Sequence, residues 1–361
     1  MYAVLGGFRA ERLAMGWGND VGINQTVFRS RGAVSIEQFC DEIQREYPDA
    51  LHLVAGLSSA TGRALSRIVR TSPPDHVAVF SERPGAYGPL VKRLAAHLLV
   101  PVKYRWLVRR YRRCVGLLLP LGRAGIETFA QLGWPIDRQA PFMYCPPYRG
   151  GPEASRLEHD GPVRFVYVGR MSRYTKGTDI LLRATEQLKG DWSLTLVGGH
   201  GDMVKEIESW ARARPNIHVL GGVASDKVKD ILEEHDVCVV PSRFDGWNAV
   251  VNEAIYAGMG VIATDEAVSH ELIEASEAGN VVRARSPRLL AAAMQSVIDD
   301  RSLLRSWSQS AIGYRPTILP PTVGQYLFEL LRAQLHQPTA LRSGAPWLRG
   351  PSIHGESSAV E

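Results

Sequence analysis

The chain has 361 residues, 42 of them basic and 37 acidic for a net charge of +5 at pH 7, and 45% are apolar. Single cores rarely grow much past about 250 residues, so two domains are expected. The apolar share is ordinary for a soluble globular protein, the charge is too mild to demand a nucleic-acid partner, and no apolar run approaches the roughly 20 residues of a membrane-spanning helix. Four cysteines (Cys40, Cys114, Cys145, Cys238) are widely spaced and form no C-x-x-C. Cys114 and Cys238 sit in apolar strand-like runs and read as buried free thiols. With no signal-peptide pattern at the N-terminus, a cytoplasmic protein is expected.

In chain order, Met1 to Gly7 reads as a strand running into a glycine turn. Phe8 to Arg31 has poor periodicity and is either a cleft-lining loop or an irregular excursion. Ser35 reads as the N-cap of a helix with Ile36, Phe39 and Ile43 on one face, ending at Tyr47. Strand Leu51 to Ala55, helix Ser59 to Arg70, strand Val77 to Phe80, helix Leu90 to Val100, strand Cys114 to Leu119 and helix Ala124 to Leu132 follow. Such alternation predicts a parallel sheet covered on both faces. A Pro- and Gly-rich linker over Arg138 to Pro162 separates this domain from a second one.

The second domain repeats the pattern: strand Val163 to Val168, helix Thr178 to Leu188, strand Ser193 to Val197, helix Met203 to Arg212, strand Ile217 to Leu220, helix Asp226 to Glu234. Helices Pro287 to Asp299 and Leu303 to Gln309 precede Pro320-Pro321 and a last helix, Val323 to Leu335. The expected boundaries are 1–150, 160–318, a crossover helix at 319–336 and a loose tail at 337–361.

Between these elements lies the most informative stretch, Val237 to Ile273. A buried strand ends at Pro241-Ser242, an acidic turn carries Asp245-Gly246, and a helix begins near Asn248, followed by strand Val261 to Thr264. Free N–H groups and the helix dipole at such a terminus favour an anion. Asp245 and Glu253, eight positions apart, suit two hydroxyl-rich ends of one ligand whose phosphates lie between them.

Here PSRFDGWNAVVNEAIYAGMGVIATD, together with VGRMSRYTKGTDILLRA (Val168 to Ala184), resembles the two signature blocks of the retaining glycosyltransferases of family 4. The resemblance implies an α/β GT-B fold, two Rossmann-like domains facing a cleft, with the C-terminal helix crossing back to the first. It departs from the family at Asp245, where most members have Glu, and at Ser269, where many have Gly. It implies that Arg170 and Lys176 stabilise the leaving diphosphate, a task suited to a guanidinium fork and an ammonium point charge. Asp245 would hold the sugar near its reacting carbon, and Glu253 the ribose hydroxyls. Main-chain groups of Gly246, Trp247, Asn248 and Ala249 would meet the phosphates, with Trp247 equally readable as a packing residue. Gly7 would approach the donor from the first domain, and Gly199 and Val223 would flank the nucleoside.

Glu82, in the loop after an N-domain strand, is the candidate cleft acid near the sugar; a plain turn residue beside Pro84-Gly85 is the competing reading. No Asp-x-Asp and no metal-spaced histidine cluster occurs, so no metal or other cofactor is expected beyond the nucleotide-sugar co-substrate. Lys103 to Arg113 interleaves six basic residues with Tyr104, Trp106, Leu107, Val108 and Tyr111. At helical spacing this suits an anionic membrane surface, an RNA or a solvated helix on the core, and the first is preferred. The function expected is transfer of a sugar from a nucleotide donor to a hydroxyl of a glycan or lipid-linked glycan, on or near the inner membrane face. A catalytically inactive nucleotide-sugar or glycan binder is the alternative, its support being the Asp at 245. A nucleic-acid binder lacks any recognised module, and a phosphorylase or epimerase on the same fold stays open.

Overall fold

A computed structural model of the chain describes residues 3–4, 27–28, 35–154, 159–336 and 344–348. Gly7 and most of the segment before Ser35 lie outside the described residues. The chain folds as two α/β units with parallel sheets. The first contains the short pair β1 (Ala3–Val4) and β2 (Val27–Phe28), and a three-stranded sheet of β3 (His52–Ala55), β4 (Val77–Ser81) and β5 (Leu117–Pro120) in that order. Helices α1 (Ile36–Glu46), α2 (Ser59–Ile68), α3 (Leu90–Tyr111) and α4 (Gly122–Gln131) complete it. Ser35 caps α1 as expected, in a reciprocal capping box with Gln38.

The second unit is a six-stranded sheet of β6 (Val163–Val168), β7 (Trp192–Val197), β8 (Ile217–Gly221), β9 (Val237–Val240), β10 (Gly260–Thr264) and β11 (Gly279–Val282). Its order is β11-β10-β9-β6-β7-β8. The chain builds outward from β6 to β8, then returns to the other side of β6. That reversal opens a crevice at the carboxyl ends of β6 and β9, where doubly wound sheets bind ligands. The inner strands β9 and β10 are buried at every residue, whereas the edge strands β8 and β11 are only partly covered, as expected when helices blanket a parallel sheet. Helices α5 (Thr178–Thr185), α6 (Val204–Arg212), α7 (Val228–Glu233), α8 (Val250–Tyr256), α9 (His270–Ser276) and α10 (Pro287–Asp299) cover its faces. Then come α11 (Ser302–Tyr314) and α12 (Pro320–His336).

The two units share one apolar cluster: Leu117, Leu119, Leu121 and Met143 of the first pack with Val250, Ala254, Val268 and Leu272 of the second. Helix α12 crosses back: the Tyr326 hydroxyl donates to the Pro141 carbonyl at 3.1 Å, and Gln334 fills the space beside Gly116. A buried carboxylate adds a polar link. Glu271 of α9 accepts from the N–H groups of Arg123 (2.6 Å) and Ala124 (3.3 Å) at the start of α4. Burial pushes that carboxyl up, and the two N–H groups oppose the shift.

Three expectations change. Helix α3 does not stop at Val100 but runs through Pro101 to Tyr111. A proline inside a helix costs about 3 kcal/mol, and the burial of Leu107, Val108 and Tyr111 in the first core offsets it. Those three side chains, with Tyr104 packed on Phe129, therefore cannot form an outward strip. The outward apolar strip lies earlier on the same helix, at Val91, Leu94, Leu98, Leu99, Val102 and Trp106. Cys114 sits in the turn before β5 and is half-exposed, although Cys238 is buried in β9. Finally, within the stretch read as a loose tail, residues 344–348 are packed. Trp347 is fully buried, stacks edge-on against Tyr326 at 5.1 Å, and its carbonyl accepts the Tyr314 hydroxyl.

Trp347→Ala should therefore cost about 3–5 kcal/mol of stability, as large-to-small changes in a packed core do. A urea melt of the variant against the parent chain checks it, and an unchanged midpoint would return this segment to the unpacked tail.

Candidate active site

The site forms where β6 and β9 end. After β6 the chain passes Gly169 and Arg170; the Tyr167 hydroxyl donates to the Arg170 carbonyl at 2.6 Å, and the Arg170 side chain is exposed. It then turns through Ser172 and Thr175 to Lys176. Gly177 makes the next step possible. It adopts φ +66°, and a Cβ there would stand 2.0 Å from the Pro241 carbonyl oxygen at the end of β9. The two loops approach closely enough for the Lys176 ammonium to donate to the Asp245 carboxylate, which the Ser242 hydroxyl also approaches at 3.5 Å. Their side chains keep only 20% and 15% of their exposure. Lys176 is thus paired and largely covered, not the exposed surface cation that its residue type suggests.

The tip Arg243 to Gly246 is held by main-chain carbonyls on both sides. Thr175 accepts from the N–H groups of Arg243 (2.7 Å) and Phe244 (3.2 Å), and Glu266 accepts from that of Asp245 (3.0 Å). Arg243 also pairs with the buried Asp179 at 2.7 Å, which Arg173 approaches at 3.7 Å.

Beyond the tip, Asn248 takes φ +79° and Ala249 leads into α8. Among the described residues, the N–H groups of Gly246, Trp247, Asn248 and Ala249 donate to no protein acceptor. This is the donor cluster that an anion would fill. The Trp247 side chain turns inward, with 1% exposure, and its indole N–H donates to Asn252 at 2.9 Å. Trp247 therefore offers its main chain alone.

One turn into α8, Glu253 has a half-covered residue surface and an enclosed carboxyl. Burial pushes that carboxyl up to about 7, against a smaller downward pull from Arg149. On the β7–β8 side, Gly199 and Gly222 are in backbone contact, a Cβ on Gly199 meeting Gly222 N at 2.9 Å, and Val223 is half-buried against the shared core. Gly199 follows the carboxyl end of β7, and Gly222 and Val223 follow that of β8.

From the opposite domain Glu82 reaches in. Its carboxylate lies against Gly246, where an added Cβ would meet Oε2 at 2.3 Å, and Oε1 accepts from the Tyr144 hydroxyl at 3.0 Å. The structure thus brings together Lys176, Asp245, Gly246 and Glu82 from three loops, with Arg170 at the rim and Glu253 one helical turn away. Arg83, Phe244, Glu266, Thr175 and Tyr144 escaped the sequence reading. Arg83 and Phe244 directly neighbour Glu82 and Asp245, but no spacing rule links residues 183 positions apart such as Arg83 and Glu266. Among the described residues, no group of three or more His, Cys, Asp or Glu is placed to hold a metal ion.

Comparison with known proteins places this geometry. Residues 162–300 match the family described as "Glycosyl transferases group 1". An uncharacterised glycosyltransferase of Methanocaldococcus jannaschii is 29% identical over 145 residues, 39% of this chain and 37% of that protein. A lipopolysaccharide core biosynthesis mannosyltransferase of Rhizobium meliloti is 25% identical over 179 residues, 47% of this chain and 51% of the relative. The chain thus matches only about a third to a half of the length of these two relatives. Among solved structures, the Anabaena protein HepE in complex with UDP superposes with a TM-score of 0.65 at 17% identity, over 85% of this chain and 86% of that one. Residues 162–300 are accordingly a glycosyl transferases group 1 domain, carried in a chain that has the two-domain GT-B fold.

Proposed function

We propose that this chain is a retaining glycosyltransferase that moves a sugar from a nucleotide-sugar donor to a hydroxyl of a glycan or lipid-linked glycan. The observation that carries the reading is the meeting of Lys176, Asp245 and the unbonded N–H groups of Gly246 to Ala249 at the β6/β9 crevice, inside the stretch matched by the family. The donor's diphosphate would lie over those N–H groups, with Arg170 and Lys176 taking up the charge that grows as the bond to the anomeric carbon breaks. Asp245 would hold the sugar, sharing Lys176 with the phosphate. Glu253 would accept from the ribose hydroxyls, and Gly199 and Val223 would flank the base. Gly7 keeps its proposed place on the donor from the first domain. For attack on the face from which the diphosphate departs, the departing oxygen is the nearest acceptor for the proton of the incoming hydroxyl. These two cations would supply the charge a divalent ion would otherwise bring, so we propose turnover without added metal or cofactor. The UDP complex of HepE and the mannosyltransferase role named for the Rhizobium relative support a nucleotide-sugar donor and a glycan acceptor.

We further propose a peripheral place on the inner membrane face, through α3. Its 22 residues include no Asp or Glu. Exposed Lys92, Lys103, Arg105, Arg109 and Arg110 flank the outward strip from Val91 to Trp106. An apolar strip bordered by cations suits an anionic lipid surface, each basic residue adding about 1 kcal/mol. No helix among the described residues is long and apolar enough to cross a membrane.

Three outcomes are expected. In an assay containing EDTA the parent chain turns over, and Lys176→Ala lowers turnover about 100- to 1000-fold, the cost of losing one preorganised transition-state contact. Full activity of the variant would remove Lys176 from the site, and loss of parent activity on chelation would remove the metal-free mechanism.

Second, donor binding should tighten as pH rises through about 7. A raised carboxyl pKa stabilises the free fold below the ordinary carboxylate range, and that contribution is lost as pH rises through about 7. Ribose hydroxyls favour the ionised form, so binding releases a proton and weakens by up to about tenfold per pH unit below that point. Calorimetry should show this slope in the parent chain and a flat profile in Glu253→Gln.

Third, the chain should float with anionic but not with neutral liposomes. Leu98→Ser combined with Val102→Ser should reduce flotation while leaving circular dichroism unchanged. Flotation with neither lipid would make a soluble acceptor the better reading, and equal flotation with both would remove the role of the flanking cations.

A further inference from the structure

Phe244 immediately precedes Asp245, and three residues of the loop after β4, in the opposite domain, enclose its ring. Gly85 lies flat against it: a Cβ there would stand 2.0 Å from Cζ and 2.4 Å from both Cε atoms. Tyr87 stacks on the ring at 5.5 Å with an interplanar angle of 24°, and the Arg83 guanidinium sits 4.8 Å from its centroid. Arg83 also donates to the Glu266 carboxylate at 2.7 Å and to the Glu266 carbonyl at 3.1 Å. That same carbonyl accepts from the Asp245 N–H. The first domain therefore touches the Asp245 loop twice, once through the ring beside the acid and once through the carbonyl that anchors its backbone.

An aromatic ring that only filled a surface gap would not need a glycine opposite it. Gly85 has no left-handed backbone to explain its identity, since its φ is not among the positive ones. What forbids a side chain there is the Phe244 ring. We propose that Phe244 is a positioning residue: the first domain grips its ring and thereby fixes the depth at which Asp245 and Lys176 meet the donor sugar. The grip couples closure of the cleft to alignment of the acid, so that the acid is in place only while the first domain is down on it. This rests on the transferase reading above.

The test is a two-residue cycle at Gly85 and Phe244, read as kcat and as the donor dissociation constant separately. Gly85→Ala wedges the loops apart and should lower kcat about ten- to a hundredfold, the effect of a misplacement near 1 Å, with donor affinity unchanged. Phe244→Ala should also lower kcat. In that background Gly85→Ala should have no further effect, because the ring it strikes is gone. If Phe244→Ala does not fold, Phe244→Leu serves, since it leaves room for the added methyl. An equal loss from Gly85→Ala in both backgrounds, or an undiminished kcat in Phe244→Ala, overturns the proposal. A parent chain that turns over no nucleotide sugar defeats the transferase reading instead. The grip is then judged by hydrogen exchange: Arg83→Ala should speed exchange of the Arg243, Phe244 and Asp245 amides about tenfold, and unchanged exchange overturns it.

Discussion

The crevice depends on the tip Arg243 to Gly246 being held from both sides by main-chain carbonyls. Thr175 takes two of its N–H groups and Glu266 a third. Without these bonds the short loop after β9 would have no fixed path, and Asp245 would not face Lys176. The anchors come from loops after β6 and β10, the two strands that flank β9. Strand order and loop geometry are thus one constraint: the reversal at β6/β9 opens the crevice, and the same neighbours pin its acidic lip. The N–H groups that follow remain without protein partners because the chain enters α8 through a left-handed Asn248 rather than a capping side chain.

Electrostatically, the lip is a near-neutral pair beside an uncharged donor cluster. Lys176 and Asp245 satisfy one another in the free protein, so neither is left as an isolated, partly buried charge. In the proposed reaction, a donor diphosphate at the N–H cluster would compete with Asp245 for the lysine and free the carboxylate for the sugar. Asp, one methylene shorter than Glu, keeps that carboxylate close to the backbone turn that carries it.

Much of this was legible in the sequence, for a physical reason. Strand, loop and helix in a doubly wound sheet are consecutive, so the loops carrying Arg170, Lys176, Asp245 and Gly246 and the helix carrying Glu253 could be placed from the sequence, while the choice of these residues rested on the resemblance of their two blocks to the glycosyltransferases. What spacing could not supply is contact between remote loops. Lys176 and Asp245 are 69 positions apart and Arg83 and Glu266 183, and nothing local marks either pair. The helix through Pro101 was missed because local rules stop a helix there, while the burial that carries it onward comes from the first core. Trp347 was missed because its flanks are polar and glycine-rich, and only the aromatic pocket of Tyr314 and Tyr326 gives that segment a place.

The carboxylate of Glu271 has a consequence for how the chain is made. Helix α4 belongs to the first domain, yet its N-cap residue Leu121 has no side-chain cap of its own. The missing acceptor lies 148 residues downstream of Arg123, in the second domain. At synthesis rates of about 5–20 residues per second, that acceptor leaves the ribosome about 7 to 30 s after the helix it terminates. During that interval the nascent first domain carries an open helix end and an uncovered apolar face around Leu119 and Leu121. Maturation of the first half is therefore tied to the arrival of the second, which brings both the acceptor for that helix end and the residues that cover this face.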